Sequence, residues 1–225
     1  MSIAQNLLEL KKSIPDHVTL VAVSKTKPIS DISEAYQSGQ RVFGENKIQE
    51  MTDKQAALPE DIKWHMIGHV QTNKVKYMAS YVDCIHGVDS LKLLKEINKQ
   101  ALKHQRVIHC LLQIRIAEED TKFGMTEEQA SSLLSSSELQ VLNNIKIVGF
   151  MGMASFTENK EQIKNEFSIL NKFFENTKKA EAQNSNIQLE TLSMGMSGDY
   201  QIAIASGSNM VRIGSSIFGA RNYQK

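Results

Sequence analysis

Lys25 is the side chain with the clearest potential for covalent chemistry, because it directly follows the apolar run VTLVAVS at residues 18–24. Side chains alternate between the two faces of a strand, so Lys25 shares a face with Val21 and Val23. Where the two valines point into an apolar interior, the lysine amine points there too. Such a setting disfavours the charged amine and leaves a nucleophile that can form a Schiff base. A lysine that leans out to solvent at the end of the strand is the alternative.

Two other lysines compete for this role. Lys27 lies two positions further along, but Pro28 holds it in an extended conformation at the start of the loop. Lys74 falls in a polar segment at the start of a predicted helix, where we expect it to face solvent or a phosphate group. Lys25 is therefore the preferred nucleophile.

Two short segments rich in glycine and serine have the composition of phosphate-binding loops. SMGMSG spans residues 193–198 and RIGSS spans residues 212–216, and each follows a predicted strand and opens a helix. Backbone N–H groups at a helix N-terminus, with small side chains that allow close approach, can bind a phosphate. Either segment alone is more typical of an ordinary turn in which serine caps the helix. Two such loops side by side favour phosphate binding.

The elements that must position these residues alternate regularly between strand and helix. The predicted strands lie at residues 18–24, 41–44, 63–69, 82–87, 106–115, 145–151, 188–193 and 209–213. The predicted helices lie at residues 29–38, 46–57, 72–80, 89–104, 126–137, 159–182 and 199–206, with a short one from 215. Eight strand–helix units in 225 residues predict an α/β fold, a single-domain (β/α)8 TIM barrel over residues 1–225. An open doubly wound sheet is the alternative.

In such a barrel, functional residues lie at the carboxyl ends of the strands. Besides the two glycine- and serine-rich loops, the predicted strand ends carry Lys25, Glu45, Asn46, His69, His86 and Arg115. The spacing of the histidines does not favour a metal, because His65 and His69 on one strand are separated by about 13 Å. The sequence therefore predicts no metal site. We interpret His69 and His86 as residues of the barrel mouth rather than catalytic bases.

Composition and charge exclude several classes of protein. With 26 basic and 25 acidic residues the net charge is +1, so the chain lacks the positive field of nucleic-acid-binding proteins. Cys84 and Cys110 lie far apart in apolar runs, which predicts two reduced, buried thiols. Residues 1–14 predict an amphipathic helix whose Glu9 argues against a signal peptide, and no apolar run is long enough to span a membrane. We expect a soluble cytoplasmic protein that binds neither nucleic acid nor membranes.

Four segments carry a family resemblance, in order along the chain. They are VAVSKTKP (21–28), FGENKIQE (43–50), WHMIGHVQTNK (64–74) and LSMGMSGDYQIAIASGSNMVRIGSSIFGAR (192–221). These segments resemble the pyridoxal phosphate homeostasis proteins, a family similar to the N-terminal barrel of alanine racemase. The resemblance covers essentially the whole chain.

The resemblance implies a barrel of the alanine racemase N-terminal type that binds pyridoxal 5'-phosphate (PLP). The implied cofactor site consists of Lys25, Asn46, Ser193, Arg212, Gly214 and Ser215. Lys25 would form a Schiff base with PLP, and Arg212 would face the pyridine nitrogen. Ser193, Gly214 and Ser215 would hold the phosphate, while Asn46 would line the pocket.

The sequence also departs from the family pattern. Gly152 and Gly198 stand where the family differs, so we expect the pocket wall after the sixth strand and the loop after the seventh to differ as well. Residues 112–125 match only loosely, which leaves Arg115 and Lys122 without a firm role.

An arginine opposite the pyridine nitrogen keeps that nitrogen unprotonated, because a guanidinium only donates hydrogen bonds. The cofactor is then a weak electron sink. Alanine racemases supply a second acid/base group from a tyrosine on an additional domain, and the predicted units leave only residues 222–225 for one. Of the five tyrosines, only Tyr200 lies near a predicted strand end.

The preferred interpretation is a monomeric protein that is not an enzyme and that stores, buffers or delivers PLP, with PLP-dependent apo-enzymes as partners. The alternative is a small PLP-dependent amino-acid racemase or another Schiff-base lysine enzyme, such as an aldolase.

Overall fold

Eight parallel strands follow one another around a closed barrel in the computed structural model, which describes residues 2–117, 123–180 and 185–219. The strands are β1 (Thr19–Val23), β2 (Val42–Glu45), β3 (Lys63–Met66), β4 (Cys84–Val88), β5 (Ile108–Gln113), β6 (Ile145–Met151), β7 (Ile187–Ser193) and β8 (Met210–Ile213). β8 pairs with β1, from Thr19 opposite Met210 to Ala22 opposite Ile213. This closure confirms the predicted barrel and excludes the open sheet.

Helices alternate with the strands. They are α1 (Ile3–Lys12), α2 (Ile29–Gln37), α3 (Ile48–Ala57), α4 (Leu91–Lys103), α5 (Glu127–Leu134), α6 (Ser137–Gln140), α7 (Lys160–Ala180), α8 (Tyr200–Ala205) and α9 (Ser215–Phe218). The helix predicted at 72–80 is a shorter 3₁₀ helix over Thr72–Tyr77. The helix predicted at 126–137 is divided, because the Ser136 side chain caps Leu139 N–H and so begins α6 separately.

Alternation of the strand side chains divides the apolar core into two parts. The larger part packs between the strands and the helices, and its largest side chains are Phe43, Trp64, Phe150 and Phe167. The smaller part lies on the inward faces of the strands and consists of Val21, Cys84, Leu111, Met151 and Met210. Both cysteines are free and buried, as predicted.

The interior of the barrel becomes polar toward the carboxyl ends of the strands. His86 and Ser193 are completely buried there, and Arg212 is 4% exposed. Polar groups at this depth must be hydrogen-bonded to one another, and their partners are part of the site described below. Within the described ranges, no helix combines the length and apolar character needed to cross a membrane.

Candidate functional site

A cavity of about 740 Å³ opens at the carboxyl ends of the strands. Five of the six site residues predicted from the sequence line it, namely Lys25, Asn46, Arg212, Gly214 and Ser215. The pairing of β1 with β8 brings Lys25 and Arg212 together, because the strands that carry them are neighbours only after the barrel closes.

Lys25 reaches the cavity because the alternation of β1 continues past its last residue. Val21 belongs to the apolar interior of the barrel, while Val23 and Lys25 line the cavity. The lysine side chain is half-buried. The structure therefore places Lys25 on the inward face that the sequence predicted.

A charged network behind the strands holds the turn that carries Lys25. Lys54 on α3 donates from Nζ to the Ser24 carbonyl oxygen at 2.8 Å. The same amine donates to Glu45 Oε1 and Glu50 Oε1, each at 2.7 Å. Ser24 Oγ also donates to Glu45 Oε1, at 2.6 Å. We call Ser24, Glu45, Glu50 and Lys54 the outer network.

The outer network also supports an unusual backbone conformation. Thr26 has φ +64°, a left-handed conformation that is rare for a β-branched residue. Its N–H donates to Glu50 Oε1 at 2.5 Å, which ties the turn to α3. Strained backbone of this kind persists only where surrounding contacts hold it, and it is common at functional sites.

Glu45 lies in the outer network and not at the cavity wall. The sequence analysis had expected it among the functional residues at the carboxyl ends of the strands. Its side chain is fully buried, and burial raises the pKa of this carboxyl, an effect that the hydrogen bond from Lys54 opposes. Glu45 Oε2 has no hydrogen-bond partner among the described residues. The next residue, Asn46, has the opposite orientation and lines the cavity.

The two rival lysines differ from Lys25 in their surroundings. Lys27 also lines the cavity, but its Nζ donates to the Phe218 carbonyl oxygen at 2.8 Å. Lys74 lies in the 3₁₀ helix with an exposed side chain, 5.5 Å from the centre of the Tyr77 ring, and is not part of the cavity wall.

Arg212 is a buried cation with a fixed orientation. Its Nη1 donates to the Ser193 carbonyl oxygen at 2.8 Å and to Ser193 Oγ at 2.7 Å, and its Nη2 donates to the Gly152 carbonyl oxygen at 3.0 Å. Burial lowers the pKa of the guanidinium to about 10, an effect that Asp199 opposes. Arg212 therefore stays charged at neutral pH.

The structure corrects the position predicted for Ser193. This side chain is completely buried and lies behind Arg212, outside the cavity lining. The reason is the strand register, since Ser193 pairs with Met210, two residues before Arg212. Ser197, which the sequence analysis placed in the same loop without assigning it a role, lines the cavity instead.

The loops after β7 and β8 are joined at one corner of the cavity. Ser197 Oγ accepts from Gly214 N–H at 3.3 Å. Gly214 packs closely against β1, because a Cβ atom there would lie 3.1 Å from the Val23 carbonyl oxygen. The first loop is closed by Asp199, whose Oδ1 accepts from Met196 N–H at 2.5 Å.

The two departures from the family pattern have different structural consequences. At Gly152, whose carbonyl oxygen accepts from Arg212, a Cβ would lie 2.6 Å from Leu170 Cδ2, so a larger residue would require this side chain or the loop to shift. At Gly198, which lines the cavity, a Cβ would meet nothing within 4 Å. The Gly152 carbonyl group thus helps to hold Arg212 in place, while Gly198 leaves unfilled space at the wall of the cavity.

Comparison with known proteins agrees with this geometry. The family model described as the alanine racemase N-terminal domain matches residues 1–222. A pyridoxal phosphate homeostasis protein of Pasteurella multocida is 37% identical over 240 residues, covering 100% of both chains. That of Escherichia coli K12 is 36% identical and covers 99% of this chain and 98% of its own. The chain belongs to the pyridoxal phosphate homeostasis protein family.

Solved structures of this family have the same architecture. PipY of Synechococcus elongatus without PLP superposes with a TM-score of 0.90 at 34% identity, covering 97% of this chain and 100% of that one. PipY with PLP bound superposes with a TM-score of 0.85 at 33% identity. An alanine racemase of Clostridium difficile 630 has a TM-score of 0.77 at 14% identity, and this chain covers 58% of it. The racemase shares the barrel fold alone.

Other strand-end residues lie around the mouth of the cavity. His69 is exposed and stacks on Phe123, with ring centroids 4.8 Å apart, and both residues line the cavity. His69 Nδ1 lies 3.6 Å from Asp89 Oδ2. Arg115 is exposed and is not part of the cavity wall, and Lys122 lies outside the described residues.

The sequence analysis expected His86 at the mouth of the barrel, but the structure places it in the barrel interior. Its Nε2 lies 2.9 Å from Nδ1 of His65, a contact between strands that the spacing within one strand did not reveal. Ligand atoms of these two histidines and of Cys84 all lie within 4.8 Å of one another. Burial lowers the pKa of His86 well below its usual value and raises the pKa of the Cys84 thiol well above its own.

Tyrosine is absent from the described part of the cavity wall. Tyr200, the candidate nearest to a strand end, lies at the start of α8 with its hydroxyl 3.0 Å from Ser13 Oγ. Tyr223 lies outside the described residues. Among the described lining residues, the acidic side chain is that of Asp199.

Proposed function

We propose that this protein binds PLP in the cavity at the carboxyl ends of the strands, as a Schiff base with Lys25, and serves to store, buffer or deliver it. The observation that carries this proposal is that Lys25 and the buried Arg212 face one cavity of about 740 Å³. PipY, a relative 33% identical to this chain, has a solved structure with PLP bound.

The residues present fit the chemical groups of PLP. A guanidinium has five N–H donors, and three of those of Arg212 are used by Ser193 and Gly152, which leaves two for a ligand in the cavity. We propose that one of them donates to the pyridine nitrogen, with Asn46 beside the ring. Gly214 and Ser215, joined by Ser197, form the corner proposed for the phosphate, where small side chains allow close approach.

PLP supplies an aldehyde that reacts with amines and a ring that accepts electron density. The contribution of this chain is to hold that group in a defined orientation. Arg212 remains a cation at neutral pH, so as a donor to the ring nitrogen it would keep that nitrogen unprotonated and make the ring a weak electron sink. This arrangement favours retention of PLP over its use in catalysis.

We infer that the protein does not catalyse racemisation. Racemisation needs an acid/base group on each face of the substrate, and Lys25 serves one face only. The described cavity wall offers no tyrosine for the other face. The racemases that share the fold are 13–16% identical to this chain, and such similarity supports no assignment of their activity.

We further propose that the protein is a monomer that works in the cytoplasm and supplies PLP-dependent apo-enzymes. The proposed site is assembled from the residues of one chain, so no second copy is needed to complete it. The two free, buried cysteines are compatible with a reducing compartment.

The test is an absorption spectrum followed by chemical trapping. We expect the purified protein to be yellow, and borohydride reduction to leave a pyridoxyl group on Lys25, identified by peptide mass mapping. Lys27→Ala and Lys74→Ala are the matched controls and should leave the adduct in place. A protein that stays colourless and unmodified after incubation with PLP would contradict the proposal, as would an adduct confined to Lys27 or Lys74.

A further inference from the structure

A chain of hydrogen-bonding side chains crosses the barrel interior and ends at Arg212. It begins at Asp83, which directly precedes β4 and whose side chain is 37% exposed. Asp83 Oδ2 lies 3.4 Å from His65 Nε2, and His65 Nδ1 lies 2.9 Å from His86 Nε2. His86 Nδ1 lies 3.2 Å from Ser193 Oγ, which accepts from Arg212 Nη1 at 2.7 Å. We call Asp83, His65, His86 and Ser193 the inner chain.

The two ends of the inner chain determine its direction. A guanidinium only donates, so Ser193 Oγ accepts from Arg212 and its own proton is available to His86 Nδ1. His86 then carries its proton on Nε2 and donates to His65 Nδ1. His65 in turn donates from Nε2 to the Asp83 carboxylate. The cation lies at one end, the anion lies at the other, and each proton in between points toward Asp83.

The charge states agree with this direction. Burial lowers the pKa of His86 well below its usual value, which keeps the ring neutral. The hydrogen bond from His65 lowers the pKa of Asp83, which keeps it ionised. A buried donor or acceptor that loses its partner is costly, so each bond constrains the next one.

We propose that the inner chain positions Arg212 for the cofactor, and through Arg212 sets the hydrogen bonding of the pyridine nitrogen. Both protons of Nη1 are held by Ser193 and one proton of Nη2 by the Gly152 carbonyl oxygen, which leaves two donors for the cavity. None of the four members lines the cavity, so they are positioning residues and not catalytic ones. This inference rests on the proposed function for the role of the pyridine nitrogen. The hydrogen bonds of the inner chain do not depend on a bound ligand.

A shared metal ion is the competing explanation for the two facing histidines. Cys84 Sγ would be the third ligand. The separation of 2.9 Å between the two imidazole nitrogens is that of a direct hydrogen bond. We therefore assign the two histidines to the inner chain.

The first experiment measures the protonation of the imidazole nitrogens in the protein without PLP, by ¹⁵N NMR of histidine-labelled samples at neutral pH. We expect His65 and His86 each to carry a proton on Nε2 and none on Nδ1. A proton on His86 Nδ1, a doubly protonated ring, or stoichiometric zinc in the purified protein would overturn the inner chain.

The second experiment measures the visible spectrum and PLP affinity of folded variants. Ser193→Ala removes one of the three acceptors of Arg212, the Ser193 hydroxyl, and we expect a shifted absorption band and roughly tenfold weaker binding. Asp83→Asn keeps an acceptor but removes the charge at the partly exposed end, so the same shift should be smaller. Asp61→Asn is the matched control, because Asp61 is a surface carboxylate that pairs with Arg41 and does not belong to the inner chain. This variant should change neither the absorption band nor the affinity for PLP.

The outcomes separate the two proposals. If the wild-type protein takes up no PLP, the proposed function fails and the role at the ring nitrogen fails with it. If the wild type binds PLP and folded Ser193→Ala has an unchanged band and affinity, the positioning role alone is overturned. Where Ser193→Ala does not fold, an Asp83→Asn spectrum identical to that of Asp61→Asn overturns it.

Discussion

Lys25 and Arg212 line the same cavity, but different kinds of contact hold them in place. The turn of Lys25 is held from behind the strands by the outer network, in which Lys54 contacts both Glu45 and Glu50. Arg212 is held from inside the barrel by the inner chain, whose middle members are two histidines and a serine. One support is ionic and connects strand to helix, while the other is a series of hydrogen bonds between strands.

This difference reflects what each residue must do. A guanidinium that is to remain a fixed donor needs acceptors of fixed direction, and a hydroxyl and two imidazoles in a closed barrel provide them. A lysine that is proposed to form a Schiff base needs a rigid turn beneath it, and the outer network contacts the backbone on both sides of Lys25. The predictions below test the two supports, beginning with the largest expected effect.

Lys25→Ala is expected to abolish the visible absorption of the bound cofactor completely, because the amine of Lys27, the other lysine of the described cavity wall, is hydrogen-bonded to the Phe218 carbonyl oxygen. Binding itself should persist, since hydrogen bonds to a charged phosphate contribute about 1.5–3 kcal/mol each. Spectroscopy and calorimetry on the same sample measure the two effects. Undetectable binding by calorimetry would show that the corner formed by Gly214 and Ser215 contributes little.

Lys54→Met is expected to be the most damaging change in either support. It leaves the Glu45 carboxylate buried without its cation, and breaking a buried pair in this way costs about 3–5 kcal/mol of the free energy of unfolding. Glu45→Gln is the matched variant, and the double variant should recover much of the loss. Urea titration measures all three, and a loss in Lys54→Met no larger than that in a surface control would contradict the prediction.

The cost of Lys54→Met should also depend on pH in a defined direction. Because the pKa of Glu45 is raised in the folded protein, the contribution of this group to stability is present in full below its ordinary pKa. This stabilising contribution is lost as the pH rises through the raised pKa of Glu45. The destabilisation should therefore be largest at neutral pH and shrink on acidification, and the opposite trend would show that Glu45 is ionised without penalty.

Arg212→Glu is expected to alter the spectrum of the bound cofactor without abolishing it. A carboxylate in place of the guanidinium accepts a hydrogen bond and so favours protonation of the pyridine nitrogen. Absorption spectra across pH measure the change, with circular dichroism as the control for folding. An unchanged spectrum and affinity in a folded variant would mean that Arg212 is only a structural residue of the barrel.

Ser197→Ala combined with Ser215→Ala is expected to weaken PLP binding by roughly tenfold, through the loss of two hydroxyls at the phosphate corner. Ser216→Ala is the matched control, because this exposed serine is adjacent in sequence but does not line the cavity. Calorimetry measures all three proteins. Equal affinity of the double variant and the control would place the phosphate elsewhere.

The smallest expected effect is that of the wild-type protein on free amino acids. Because the described cavity wall has no tyrosine to serve the second face of a substrate, we expect no racemisation above background, since acid–base assistance is worth about 10²–10⁴-fold. Deuterium incorporation at the α-carbon of alanine and serine, with chirality determined afterwards, measures this at high protein concentration. Sustained inversion that disappears in Lys25→Ala would show that the protein is an enzyme.

Much of the site follows from local sequence patterns. The alternation of β1 alone indicated that Lys25 shares the face of Val21 and Val23, because a strand has a side-chain period of two. The same rule applied to β2 distinguishes Glu45, which faces α3, from Asn46, which faces the cavity. The sequence analysis assigned both residues to the same strand end, although the alternation of side chains along β2 already places them on opposite faces.

Other positions depend on the register between strands, which no single strand encodes. Ser193 and Arg212 each begin one of the two glycine- and serine-rich segments, and only the pairing of Ser193 with Met210 places the serine one layer below the arginine. His65 and His86 meet for the same reason, because His65 pairs with Cys84. These contacts join residues 19 to 107 positions apart.

The sequence by itself determined the eight strand–helix units, the lysine that faces the cavity and the two glycine- and serine-rich loops beside it, because each depends on patterns a few residues long. The tertiary structure decided which polar side chains face the cavity and which support them from behind. Closure of the barrel makes β8 a neighbour of β1, and the stagger of its strands sets the depth of every inward side chain. That depth separates Arg212 in the cavity from Ser193, His86 and His65 beneath it.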